Sequence, residues 1–206
     1  MSSLRLVIDL FAEDRAHEQL LRPMVQRIAQ EEDCRGHVRV QSAHGGHGRV
    51  IAEFKTYQRL RESGVGEMPD LVVAAIDANC ASYASAVSEV RSAVSAPFEH
   101  ICVPACPDPH IERWYLADLQ AFHEIVGVTP SVPQDKCERD LYKQILAQAI
   151  TETEQPAMLG PLEFAPDIAH GMDFFRAGKS ESSLKHFVDD LRKRIRRLPR
   201  AAPRVR

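Results

Sequence analysis

The chain has 206 residues, 44% hydrophobic and 27% charged, with a formal net charge of -3. Such a length suits one domain with a small appendage, and the composition is that of an ordinary globular protein with a real core. No apolar run reaches the ~18 residues of a membrane span, so no transmembrane helix and no membrane partner are expected.

The opening stretch lacks a basic start and a small-residue cleavage site. No signal peptide is read, and the cytoplasm is the expected compartment. Residues 4–11, LRLVIDLF, form a near-continuous apolar run suited to a strand buried on both faces. A helix is predicted from His17 to Glu32, with Leu20, Leu21, Met24, Val25 and Ile28 in phase and Pro23 as a candidate kink. Residues 37–43, HVRVQSA, alternate like a strand nearer a sheet edge. HGGHG (44–48) is a loop, and a helix follows from Val50 to Arg61.

DLVVAAIDAN (70–79) is the next strand, Tyr83 to Val94 a helix and HICVPAC (100–106) a further strand. Pro107, Asp108 and Pro109 then open a helix over 110–118. Strand and helix alternate four times, which predicts an α/β layered domain with a mostly parallel sheet over residues 4–126. Residues 128–133 read as a linker, 135–153 as a helix, 155–166 as irregular and 182–198 as a final amphipathic helix.

Charge is unevenly placed. Residues 192–206 hold eight of the 26 basic residues and no acidic one, leaving 18 basic against 29 acidic side chains elsewhere. A basic tail on an acidic body can contact phosphate backbones, and it can equally be a solvated end. The five cysteines (Cys34, Cys80, Cys102, Cys106, Cys137) are scattered and odd in number, unlike a secreted disulfide framework.

In open α/β sheets the ligand crevice lies outside the carboxyl ends of the strands. The four strand ends here deliver Glu13 and Asp14; His44 and His47; Asp77 and Asn79; and Cys106, Asp108 and His110, with Glu112 in the next helical turn. If the chain stays extended, Asp77 and Asn79 point the same way and can share one oxygen-seeking ion, Mg²⁺ or Mn²⁺. Glu13 and Glu112 supply further charge from neighbouring ends. The plainer reading is that Asn79 serves a turn and that Asn79 or Ser82 caps the helix starting near Tyr83.

Competing constellations are weaker. His100, Cys102, Cys106 and His110 raise zinc, but the spacing lacks paired CxxC units and strand cysteines pack as small hydrophobes. HGGHG lacks the Lys-Ser/Thr of a P-loop. Trp114 and Tyr115 read as packing residues ahead of base-stacking ones. His44, His47, His110 and Lys136 are the side chains expected to be available to a substrate, and Arg139 lies near Lys136 on a solvated face.

FAEDRAHEQLLRPMVQRIA, the Asp77-Ala78-Asn79 triplet and DPHIERWYLAD, in this order, resemble the TOPRIM (topoisomerase–primase) family over about residues 4–120. Within it, the chain is similar to small bacterial proteins related to the nuclease domain of overcoming-lysogenisation-defect proteins. The resemblance implies a Rossmann-like fold over 1–126, with a four-stranded, mostly parallel sheet flanked by helices and a helical C-terminal extension over 127–206. It implies a metal-dependent nuclease, part of an anti-phage defence system acting on DNA or RNA with an ATPase subunit, and is compatible with a homo-oligomer. It assigns Glu13, Asp77 and Glu112 as catalytic and Glu13, Asp77, Asn79 and Glu112 as ligands of Mg²⁺ or Mn²⁺. Two positions depart from the family pattern: Asp14 stands where a glycine is usual, and Asn79 where a second aspartate is usual. The loss of one charge at Asn79 opens an alternative, a catalytically inactive module that binds a protein partner or nucleic acid.

Overall fold

The computed structural model describes residues 4–41, 45–135, 138, 140–153 and 160–199. Strands and helices alternate as β1 (Leu4–Ala12), α1 (Arg15–Glu31), β2 (Cys34–Val40), α2 (His47–Glu62), β3 (Leu71–Ala75), α3 (Tyr83–Ser92) and β4 (Cys102–Ala105). The strands form one all-parallel sheet in the order β2-β1-β3-β4, an arrangement consistent with a Rossmann-like fold. The edge strand expected at 37–43 is found three residues earlier, at 34–40, and lies at an edge as its half-polar pattern leads one to expect, while all five residues of β3 are buried.

Parallel neighbours need long crossovers, and these are right-handed. Because β2 and β3 flank β1 on opposite sides, α1 must lie on one face and α2 and α3 on the other. Gln58 of α2 ties the latter pair together, donating to the Ala93 carbonyl at 2.8 Å and accepting from the Ser95 amide at 2.7 Å. Pro23 sits inside α1 without ending it.

The chain continues through α4 (Ile111–Tyr115), α5 (Leu119–Val126), α6 (Leu141–Glu152), α7 (Ala165–Gly171), α8 (Phe174–Ser180) and α9 (Ser182–Arg197). The helix expected at 110–118 is shorter, ending at Tyr115, and a separate helix not expected there, α5, starts at Leu119 with the Asp118 side chain accepting the Ala121 amide. The helix expected from 135 begins only at Leu141.

The C-terminal segment is part of the same core. In α9, Leu184, Phe187, Val188, Leu191 and Ile195 form a buried stripe facing β4 and α1. One continuous cluster joins them to β1, β3 and β4. Three arginines of the basic tail hold this packing: Arg192 bonds Glu31 at 2.5 Å, Arg196 bonds Glu32 at 2.6 and 2.7 Å, and Arg194 donates to the Glu99 carbonyl at 3.0 Å. Those three groups are engaged by the protein itself; residues 200–206 lie outside the described residues.

One polar group sits deep inside the sheet. Asp9 of β1 is fully buried and accepts two bonds from Arg39, at 2.6 and 2.8 Å, and one from Gln41 at 3.3 Å. The Tyr57 hydroxyl donates to it as well. The charge is thus paired and saturated, as a buried carboxylate must be.

Candidate metal centre

The strand order fixes where a ligand belongs. From β1 the chain moves first to β2 and then back across to β3, so the topological switch point lies between β1 and β3. Glu13 follows the last residue of β1, and Asp77 lies two residues beyond β3.

Local geometry builds the site from there. Asp14 adopts an extended conformation and N-caps α1, its Oδ1 accepting the His17 amide at 3.0 Å. This cap also sets the His17 ring, whose Nδ1 lies 2.9 Å from the same Asp14 oxygen. On its far side, His17 Nε2 lies 3.0 Å from Asp77 Oδ1. Glu13 Oε2 accepts the Asp77 amide at 3.1 Å. The donor atoms of Glu13, His17 and Asp77 all lie within 4.8 Å of one another. The Tyr115 hydroxyl donates to the Ala16 carbonyl at 2.8 Å and braces the first turn that carries His17.

His17 is 0% exposed. Burial opposes charge on its ring, but the Asp77 carboxylate and the bonds to both aspartates outweigh it and raise its pKa to about 10. Burial also opposes ionisation of Asp14 and Asp77. His17 overcomes it in both, taking Asp14 down to about 2 and Asp77 below its ordinary value. At neutral pH a buried imidazolium therefore joins two carboxylates.

Two further residues border this centre. His110 Nδ1 lies 3.3 Å from the second Asp77 oxygen, a bond that raises the pKa of His110. Glu112 feels the same field. Its carboxyl pKa is raised first by burial and then by the Asp77 and Asp14 charges, but it is not among the three clustered donors.

Asn79 is placed differently from the sequence expectation. The backbone stays paired through Asn79, with the Ala78 and Asn79 amides donating to the Pro107 and Pro109 carbonyls at 2.8 and 2.9 Å, but the chain turns at Asn79, with φ 52°. The Asn79 amide side chain donates back to the Asp77 carbonyl at 3.2 Å, and Ser82 caps α3. A shared direction with Asp77 needs an extended chain, and the left-handed turn removes it; asparagine tolerates that conformation better than most residues.

His47 opens α2 and is held by Glu89 of α3 at 2.7 Å. His44 and Lys136 lie outside the described residues. Cys102 and Cys106 are buried thiols whose pKa values burial pushes up to about 12, and His110 faces Asp77, so this set does not gather as a zinc site. Trp114 is core: its ring stacks on Phe187 at 5.4 Å and its Nε1 donates to Ser183 Oγ at 2.9 Å.

No family model, curated protein or solved structure matches this chain.

The geometry therefore speaks for itself. It brings together Glu13 and Asp77, sets His110 and Glu112 around them, and adds His17, which the sequence reading missed. In the sequence it stands only as the third residue after the N-cap Asp14, a position whose side chain can reach back to the cap. Two carboxylates and an imidazole form a donor set able to hold a divalent ion. Among the described residues, no helix is long and apolar enough to cross a membrane.

Proposed function

We propose that the protein is a divalent-metal-dependent phosphodiesterase acting on nucleic acid. The observation that carries this reading is the convergence of Glu13, His17 and Asp77 at the switch point between β1 and β3, with ligand atoms within 4.8 Å of one another. Glu13 and Asp77 would supply carboxylate oxygens to the ion. When bound, such an ion polarises a phosphoryl oxygen and eases ionisation of a water.

The chain's own groups would do the rest. His110 is anchored to Asp77 through Nδ1 and partly exposed, which leaves Nε2 to exchange a proton with substrate. Glu112, whose carboxyl retains its proton to higher pH than usual, is suited to protonate a leaving oxygen. The family resemblance adds an ATPase subunit of a defence system as a working partner, which co-purification from the native host would test.

The test is degradation of plasmid DNA and of RNA in the presence of Mg²⁺ or Mn²⁺. Glu13→Ala and Asp77→Ala should each lower the rate by about a hundredfold or more. Cleavage untouched by both changes overturns the assignment.

One observation favours a second reading, a non-catalytic binding module. The His17 imidazolium already balances Asp14 and Asp77, and Asn79 supplies no charge. Calorimetric titration with Mn²⁺ separates the two readings: no heat of binding together with no cleavage leaves the module.

A further inference from the structure

Resting on that reading, we infer that His17 is itself a metal ligand and that the centre takes a first-row divalent transition ion in preference to Mg²⁺. Three features of the site support this.

First, the ring is already oriented as a ligand. Metal-bound histidines characteristically donate their second ring N–H to a carboxylate, which fixes the tautomer. Asp14 Oδ1 sits 2.9 Å from His17 Nδ1 in just that relation, leaving Nε2 as the inward atom. Second, the spacing is that of adjacent ligands. Donors at neighbouring corners of an octahedron with bonds of about 2.1 Å are about 3 Å apart, and His17 Nε2 and Asp77 Oδ1 are 3.0 Å apart. The same separation serves as a hydrogen bond without an ion and matches an edge of a coordination shell with one. Third, the chemistry discriminates. Mg²⁺ prefers oxygen and keeps its waters, whereas transition ions accept imidazole.

The experiment is an electron paramagnetic resonance titration of the intact protein with Mn²⁺, read together with the electron-spin-echo coupling to ligand ¹⁴N. Wild type should show coupling from one directly bound imidazole. His17→Gln should abolish it and His110→Gln should keep it. Mg²⁺ should displace Mn²⁺ only at about tenfold or greater excess. Should His17→Gln fail to fold, Asp14→Asn serves instead. Asparagine caps a helix as well as aspartate, so the fold is kept while Mn²⁺ affinity falls by about 10- to 100-fold. Mn²⁺ bound without nitrogen coupling, or with coupling lost in His110→Gln alone, overturns the inference and leaves the metal-dependent reading standing. No Mn²⁺ binding by wild type overturns both.

Discussion

Asp14 does two jobs from one position, because a single oxygen caps α1 and orients His17. The electrostatics of the pair set a pH window. His17 has a pKa of about 10 in the fold against 6.5 when free. Its contribution to stability is therefore complete below about pH 6.5 and is lost as pH rises through 10. Asp14 has a pKa of about 2 against 3.8. Its contribution is complete above about pH 4 and is lost as pH falls through 2. The melting temperature of wild type should exceed that of Asp14→Asn most clearly at about pH 4 to 6.5, and the gap should narrow as pH is lowered toward 2. Thermal melts across pH check this; a gap that stays constant down to pH 2 contradicts it. Glu13 and Asp77 were legible in the sequence as carboxylates at strand ends. His17 was not, because a histidine in the first turn of a helix usually declares nothing; only the spatial approach of the β3 end gives it a role.

At the scale of elements, β1, β3 and β4 were readable because burial on both faces leaves an apolar run, and β2 by its alternation. Their ends were less so. β3 keeps its backbone bonds to the β4 continuation past Ala75 until Asn79 turns, and the partner strand decides that. α7 and α8 have seven residues each, about two turns, too few for a helical period to stand out. The join between α4 and the start of α9 rests on a buried ion pair. Arg113 donates to Glu181, and also to the Pro133 carbonyl at 2.7 Å and Gln134 at 3.3 Å. Arg113→Ala removes this buried ion pair together with the other bonds of the guanidinium and should cost about 3 kcal/mol in urea denaturation. Replacing both partners, Arg113→Met with Glu181→Leu, should recover much of the loss. The surface pair Arg196–Glu32 is different in kind: Arg196→Ala should change stability by less than about 1 kcal/mol.

Over the whole molecule, the boundary expected near residue 126 does not divide the core. α1 shields the β1–β2 half of its face, and α9 lies over β4 on the same side. A chain ending before Ser182 would expose Val103 and its neighbours, together with the apolar side of α1. Such a truncation should lose the cooperative unfolding transition seen by circular dichroism, whereas a chain ending after Leu198 should keep it. The sequence pattern showed that α9 was amphipathic but could not name the surface it meets, since an apolar stripe does not identify its partner.

The imidazolium between Asp14 and Asp77 has one more consequence. A pocket that carries its own counter-ion does not depend on an outside cation to relieve carboxylate repulsion, so architecture and ion occupancy are uncoupled here, unlike in a zinc finger. Treatment with a chelator should leave a protein that melts as sharply as before, and any ion admitted must first evict a proton from the ring.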